Sequence, residues 1–455
     1  MTRASRPIAT VLAMLFLSLS LLARPAAAQT FLRDAETEAM FNAASDPLVE
    51  AAGMRPGNVE FVLLDDPSIN AFVAGGQRVY VHSGLIMEAD HVGQLQAVLA
   101  HELGHVEGGH ILRAKGGVQD ATAVSIVSLI LGGLAVAAGN GEAGLGAIAL
   151  GQQVAMSRFL AFSRTQESSA DQAGARYLMD AGVSGQGYIE FFKKLQNQEY
   201  RLNIPQEDSY ARTHPLTRER IQVLREALED DQAWDRPPDP ELDARFQRVK
   251  AKLIGYLDPQ RALRDYPHGD TSIAGRTARA YAYHQGGYPD EAAVETSALL
   301  EARPDDPFLL ELHGQILLEN GAAADALGPL RRAVERAPDQ PLIATTLGHA
   351  LVSLEDRELL PEAEQVLRGA VARDRTNGFA WYNLGVIYDR NGDDARAALA
   401  SAERFQILGQ HKLALASARR AMGGIEQQGP DWIRAQDIAL TSEHELKRAG
   451  IETDR

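Results

Sequence analysis

The chain contains 455 residues, carries a formal net charge of −16 at pH 7 and has no cysteine. Its length allows roughly three domains at about 150 residues each. So acidic a chain is a poor ligand for nucleic acid or for anionic membrane surfaces. The lack of cysteine excludes disulfide bonds and a lipoprotein anchor, so apolar cores must provide the stability of the fold.

The first 28 residues have the composition of a secretory signal. Arg3 and Arg6 precede an apolar stretch at 9–22, and small residues end the segment at Ala28. We predict export with cleavage after Ala28, which removes three arginines and no acidic residue and so changes the net charge from −16 to −19. An uncleaved anchor is the alternative, but the apolar stretch is short for a membrane span of about 20 residues.

Two short runs with β-rich composition follow at residues 69–73 and 78–82. Gly75 and Gly76 lie between them, so the pattern predicts two strands around a glycine turn. An ordinary hairpin and a sheet edge beside a cleft both fit this pattern.

The next predicted element carries the sequence His-Glu-Leu-Gly-His at residues 101–105. Apolar residues lead into it at steps of three and four, namely Val92, Leu95, Val98, Leu99 and Leu103. This spacing predicts an amphipathic helix with one buried stripe, which Gly108 and Gly109 weaken at its end. His101 and His105 then project from one face and can bind zinc, while Glu102 faces the position of the metal's water.

A catalytic zinc ion takes three protein ligands and leaves one position for water, so a third ligand is needed. In the three-histidine pattern it would stand at position 111, but Ile111 is there and His110 comes one place early. We interpret His110 as a histidine that is hydrogen-bonded near the helix end. The other known geometry takes a glutamate from a second helix.

An apolar segment separates the histidines from the candidate glutamate. Residues 121–138 carry no charge, a turn follows at 139–141, and a second apolar run covers 143–154. The pattern predicts a helical hairpin over or beside the metal site. Either it packs on the same domain, or it is a lid that contacts substrate or makes peripheral membrane contact through 121–154.

The candidate third ligand is Glu167, at the start of a segment with helical patterning. Glu167 and Asp171 are four residues apart and share a helix face. Small residues beside them permit a close helix contact: Ser168, Ser169, Ala170, Ala173 and Gly174. Asp171 is suited to accept the free ring N–H of a ligating histidine. A solvated acidic face is the alternative.

After a proline-rich, charged stretch at 235–240, the composition changes to alanine- and leucine-rich helical pairs. Residues 301–307 recur as 335–341, and Gly314 recurs as Gly348, both at an offset of 34 residues. This period predicts tetratricopeptide repeats, which stack into an α-solenoid that binds peptides or partner proteins.

A third copy of the repeat carries residues 381–388, and Gly385 lies 37 residues after Gly348. The sequence therefore predicts an insertion of three residues between Leu354 and Pro361. A generic helical bundle is the alternative fold, and it would not require the repeated 34-residue offset.

The two metal-site motifs together resemble those of the gluzincin zinc proteases, which include the CAAX-prenyl proteases and the heat-shock protease HtpX. The second motif consists of Ser163, Arg164, Glu167, Ala170, Asp171 and Gly174. With the export signal and the repeats, nearly the whole mature chain is similar to the BepA-like periplasmic proteases. The resemblance implies a mainly α (α+β) fold: a helical zincin-type protease domain with a small edge-exposed β-sheet at 29–255, then a tetratricopeptide-repeat domain at 256–455.

The resemblance also implies the site residues. His101, His105 and Glu167 would hold one Zn²⁺ per chain, Glu102 would be the general base, and Asp171 would support the ligands. The segment around His214 resembles the family's Thr/Ser-His-Pro motif. His214 would either donate a hydrogen bond to the oxyanion or occupy the open position of zinc in a resting state. Asn70, Ala71 and Phe72 correspond to the family's substrate-binding edge strand, which pairs with an extended peptide.

The function implied by the resemblance is an exported, periplasmic zinc endopeptidase that cleaves extended or misfolded polypeptides in the quality control of outer-membrane proteins. Its repeats would bind clients or the outer-membrane assembly machinery, and no nucleic acid is expected. One alternative is a chaperone or scaffold whose zinc site is normally autoinhibited. Another is a zinc hydrolase with a non-peptide substrate, against which the edge strand argues.

Overall fold

A computed structural model describes residues 30–110, 113, 122, 124–130, 141–202, 214 and 217–451. The predicted signal and its cleavage site lie outside these residues. The strands are β1 (Thr30–Leu32), β2 (Glu60–Asp65), β3 (Ala71–Ala74) and β4 (Arg78–His82). The first helices are α1 (Ala35–Ala51), α2 (Ser83–Glu88), α3 (Val92–Glu107), α4 (Gly141–Ala181), α5 (Gln186–Leu202), α6 (Arg218–Leu228) and α7 (Pro240–Leu257).

The remaining helices form the carboxy-terminal half. They are α8 (Pro259–Asp265), α9 (Ile273–Gln285), α10 (Pro289–Ala302), α11 (Pro307–Glu319), α12 (Ala323–Arg336), α13 (Pro341–Ser353), α14 (Leu360–Arg373), α15 (Gly378–Arg390), α16 (Asp394–Ile407), α17 (His411–Gly424) and α18 (Pro430–Arg448). The predicted fold class is confirmed: the protein is mainly helical, with one small sheet and a helical repeat region.

The sheet has the strand order β1-β2-β4-β3. Strands β2 and β4 are parallel, while the β1–β2 and β3–β4 pairs are antiparallel. Gly75 and Gly76 join β3 to β4 with φ angles of 64° and 103°, a left-handed conformation that glycine adopts without strain. Within the described part of the sheet, β3 is an edge strand.

The histidine helix α3 differs from its prediction in one respect. Every residue from Val92 to His105 is buried, rather than a single stripe. The reason is that α1, α4, α5 and the sheet contact α3 on different sides. A helix enclosed in this way can keep polar side chains away from bulk water.

The segment that carries Glu167 also differs from the prediction, because it belongs to one continuous helix of 41 residues, α4. The second apolar run at 143–154 lies on the same helix. A Cβ atom at Gly151 would come within 1.9 Å of Ser128 Cβ, so helical residues 124–130 cross α4 closely there. Residues 139 and 140 of the predicted turn lie outside the described residues, and Gly141 begins α4.

The repeats appear as helix pairs of nearly constant length. Helices α11, α13 and α15 each have 13 residues, and their partners α12, α14 and α16 each have 14. The predicted three-residue insertion coincides with a short 3₁₀ turn at Arg357–Leu359, directly before α14.

Helix α9 is shared by two hydrophobic cores. Ala278 and Ala282 pack in the core that contains α3, α4 and α7. Ala280 and Tyr281 pack in the core formed with α10 and α11. The two predicted domains are therefore joined by continuous packing across residue 255.

A buried group of charges lies where α1 and α7 meet the repeats. Lys252 pairs with Asp34 at 2.8 Å and with Glu36 at 3.1 Å. Arg248 pairs with Glu36 and, at 2.7 Å, with Asp306 of the loop before α11. No helix within the described ranges is both long and apolar enough to cross a membrane.

Candidate metal centre

The close contact between α3 and α4 positions the candidate site. A Cβ atom at Gly104 would lie 2.7 Å from the carbonyl oxygen of Ala170, and one at Gly174 would lie 3.0 Å from the carbonyl carbon of Ala100. Both positions therefore need glycine, because a side chain would push the two backbones apart. The contact brings the glutamate of α4 to the histidines of α3.

Four buried side chains converge at this contact: His101, His105, Glu167 and His214. Their candidate ligand atoms all lie within 4.8 Å of one another. The Nε2 atoms of His101 and His105 are 3.1 Å apart, because residues four apart lie on one face of a helix. Glu167 lies 3.4 Å from His101 Nε2 and 3.5 Å from His105 Nε2.

His214 Nδ1 completes the group, at 3.2 Å from His101 Nε2 and 3.1 Å from both carboxylate oxygens of Glu167. Ligand atoms placed tetrahedrally about 2.0–2.1 Å from a zinc ion are separated by about 3.3 Å. The separations of His101 Nε2 from His105, Glu167 and His214, and of His105 Nε2 from Glu167, are 3.1–3.5 Å and so close to this value. Three imidazoles and one carboxylate are also ligands that zinc accepts.

Glu102 is fully buried beside the four ligand candidates. Among the described residues, neither of its carboxylate oxygens accepts a hydrogen bond, and His214 Nε2 lies 3.5 Å from Oε1. Burial raises the pKa of Glu102, although His214 and His101 oppose the shift. A carboxylate that is buried without a hydrogen bond is costly, and a water molecule or cation between it and the ligands would satisfy it.

The second ring nitrogen of His101, Nδ1, has two polar partners on the side away from the other ligand candidates. Nδ1 lies 3.0 Å from Asp171 Oδ1 and 2.9 Å from the hydroxyl of Tyr188, which also donates to Asp171. Burial disfavours a charge on His101, but hydrogen bonds to Asp171 and Glu167 outweigh it and raise its pKa to about 9. These contacts orient Nε2 toward the centre of the group.

His110 lies outside the group of four and contacts His105, with the two Nδ1 atoms 2.9 Å apart. Burial and the neighbouring His101 lower the pKa of His105 well below its usual value. The lowered pKa favours the neutral form of His105, which is the form that binds a metal, whereas a metal that binds His101 must displace a proton.

Tyr188 and Arg220 are the contacts that sequence reasoning missed. Arg220 donates to Asp171 from Nε at 2.7 Å and from a terminal nitrogen at 2.8 Å, and it lies 3.2 Å from Glu167. No motif marked either residue, although Arg220 stands six positions after the singled-out His214.

The other predicted positions fall on two surfaces. Ala71 and Phe72 belong to the edge strand β3, and the carbonyl of Asn70 accepts a hydrogen bond from the His82 amide at 3.0 Å. In the described parts of the apolar segment, several large side chains are at least half exposed: Ile126, Val127, Leu129, Ile130, Leu150 and Met156. Whether the hairpin packs on the domain or contacts substrate or membrane stays a prediction.

Residues 33–228, which include all four ligand candidates, match the model of "Peptidase family M48". The protein is a metalloendopeptidase, and its similarity to this family implies a metal cofactor. Over 383 residues it is 26% identical to the "Beta-barrel assembly-enhancing protease" of Yersinia pestis, covering 81% of this chain and 76% of that relative. The predicted resemblance to BepA-like proteases with repeats is confirmed.

The Escherichia coli (strain K12) protein of the same name is 25% identical over 380 residues, with the same coverage of 81% and 76%. Among solved structures, the chain is similar to "YrrB: a TPR protein with an unusual peptide-binding site". That likeness has 22% identity and a TM-score of 0.32, and it covers 40% of this chain and 94% of that one.

Proposed function

We propose that the protein is an exported zinc endopeptidase in which His101, His105 and Glu167 bind Zn²⁺ and Glu102 is the general base. The observation that carries this proposal is that the ligand atoms of His101, His105 and Glu167 lie 3.1–3.5 Å from one another, beside a Glu102 carboxylate that accepts no hydrogen bond from the described residues. Zinc bound there would polarise a carbonyl group and lower the pKa of a water molecule to about 7.

The residues of the chain supply the proton transfers. Glu102 takes a proton from the attacking water and passes it to the leaving amine. The raised pKa of Glu102 suits both steps, because a carboxylate with a higher pKa is a stronger base. Asp171 and Tyr188 keep the ring of His101 in one orientation throughout.

The position of His214 determines whether water and substrate can reach the metal site. Its Nδ1 atom lies at 3.1–3.2 Å from Glu167 and His101, where a fourth ligand would stand. This distance favours a resting state in which His214 takes the position that water and substrate need. It also supports the second candidate function, a chaperone or scaffold whose zinc site is normally autoinhibited.

The substrate class follows from β3. Among the described residues, no strand pairs with one long edge of β3, and such an edge can pair with the backbone of an extended polypeptide, which gives affinity without selecting side chains. Phe72 stacks on Tyr80 of β4 with ring centroids 5.2 Å apart, which fixes the edge next to α3. Extended or misfolded segments are the substrates that such an edge accepts.

For the biological setting, we propose periplasmic quality control of outer-membrane proteins, with the repeats binding clients or assembly machinery. The names of the two relatives support a role in β-barrel assembly. The exposed apolar side chains at 126–130 and 150–156 support peripheral membrane contact by the predicted hairpin.

Digestion of unfolded casein and zinc analysis of the purified chain test the proposal. Glu102→Gln should retain zinc and lose about 10²- to 10⁴-fold in rate, the usual contribution of a general base. Glu107→Gln, on the same helix but half exposed, is the matched control and should behave as wild type.

His214→Ala separates the two candidate functions. A faster rate in this variant would mean that His214 closes the site, whereas a slower rate would mean that it assists the reaction. A wild-type chain without zinc, or a Glu102→Gln variant with full activity, would refute the proposed protease.

A further inference from the structure

Arg220 contacts two acidic side chains of the metal site from α6, a helix that carries none of the four ligand candidates. It sits in the first turn of α6, where Thr217 caps the helix by accepting a hydrogen bond from the Arg220 backbone amide at 3.2 Å. Only 11% of its side chain is exposed. The guanidinium group also lies over the ring of Phe192, with Cζ 5.5 Å from the centroid. These contacts hold the guanidinium plane in one orientation.

The guanidinium group contacts both carboxylates of α4. Its Nε and one terminal nitrogen donate to the two oxygens of Asp171, at 2.7 and 2.8 Å, which is the paired geometry that arginine and carboxylate favour. The same terminal nitrogen lies 3.2 Å from Oε2 of Glu167. Both oxygens of Glu167 also face the histidines: Oε1 lies 3.5 Å from His105 Nε2, and Oε2 lies 3.4 Å from His101 Nε2.

We propose that Arg220 is a positioning residue for the metal site: it holds the carboxylate of Glu167 in one orientation toward the histidines and fixes Asp171 as the support of His101. The inference rests on the proposed zinc site. Without the guanidinium group, two buried carboxylates four residues apart would repel each other and lose their shared donor. Glu167 could then rotate, and Asp171 would hold His101 less firmly.

The alternative is that Arg220 only stabilises the packing of α6 against α4. The two roles predict different measurements. A packing role lowers the stability of the metal-free chain and leaves its zinc affinity unchanged. A positioning role lowers zinc affinity even in a variant whose metal-free form melts as wild type does.

The test is zinc titration of the full chain against a chromogenic chelator, with thermal unfolding of the metal-free protein in parallel. Arg220→Gln should weaken zinc binding by about 10- to 100-fold, which is the usual effect of removing a residue that hydrogen-bonds to metal ligands. Arg220→Lys should recover part of this loss, since an ammonium group keeps the charge but lacks the planar pair of donors. Arg225→Gln removes the same charge from the same helix and should bind zinc normally, because Arg225 makes no ion pair within the described part of the chain.

Arg220→Lys serves as the test if Arg220→Gln does not fold, and Tyr188→Phe measures the other contact of His101 and Asp171. It removes only the hydroxyl that contacts His101 and Asp171, and it should weaken zinc binding less than Arg220→Lys. Zinc affinities within about twofold of wild type in the folded Arg220 variants would overturn the inference about Arg220 but not the proposed zinc site. Removal of a residue that supports a metal ligand normally weakens metal binding about 10-fold or more. Failure of the wild-type chain to bind zinc would overturn the proposed function as well.

Discussion

The metal centre and the repeats differ in how far apart in the sequence their polar partners lie. At the metal centre the charged and polar groups are buried, and they meet across long sequence separations, such as the 113 residues between His101 and His214. In the repeats, ion pairs such as Arg331–Glu362 are about 40% exposed and join neighbouring helix pairs 31 residues apart. The difference indicates that the centre depends on many parts of the chain at once, whereas each repeat depends on its neighbours.

Zinc removal is the strongest test of this comparison. With free zinc about a thousandfold above its dissociation constant, binding stabilises the folded domain by about 4 kcal/mol. We therefore expect chelation to increase amide hydrogen exchange in α3, α4 and α6 but not in α15–α18. Hydrogen exchange by mass spectrometry measures this directly. An equal increase in both regions would contradict local dependence in the repeats.

Arg248→Met tests the charges buried between the two regions. The substitution leaves Glu36 and Asp306 without their shared guanidinium group, and removal of one member of a buried ion pair costs about 3 kcal/mol. Urea unfolding should show this loss. Arg245→Met on the same helix breaks an exposed pair with Glu241 and should cost at most about 0.5 kcal/mol. Similar losses in both variants would mean that the junction behaves like the protein surface.

The smallest expected effect concerns one repeat. A Cβ atom at Gly348 would lie 2.4 Å from Cγ of Leu367, which is fully buried. Gly348→Ala should therefore cost about 1–3 kcal/mol through overpacking. Gly369→Ala, on α14, places its methyl group at an ordinary contact distance of 3.5 Å from an Arg373 nitrogen and should instead stabilise that helix by about 0.5–1 kcal/mol. Urea unfolding measures the stability of both variants. A loss of stability in both, or a gain in both, would contradict the packing argument.

The sequence was most informative where structure is local. The four-residue spacing of His101 and His105 places their Nε2 atoms together on one turn of helix. The 34-residue period predicts equal helix pairs, and the extra three residues appear as a 3₁₀ turn. Such patterns depend only on the geometry of one helix or one repeat.

The remaining contacts of the site depend on how helices pack, which one sequence does not encode in a readable pattern. Glu167 was selected with the help of a family resemblance. Tyr188 and Arg220 carried no signal, because a tyrosine or arginine on a helix face is ordinary until a partner helix is known. The complete burial of α3 was also missed, since its partner α4 lies more than 30 residues away in the chain.

Helix α9 limits where the chain can be truncated or recombined without exposing a hydrophobic core. Its alanines at 278 and 282 belong to the core of the catalytic half, while Ala280 and Tyr281 belong to that of the repeats. Recombination or truncation at residue 255 would cut through a packed interior and expose apolar surface on both products. The smallest exchangeable module on the catalytic side therefore ends after α9, so the first helix of the solenoid travels with the enzyme.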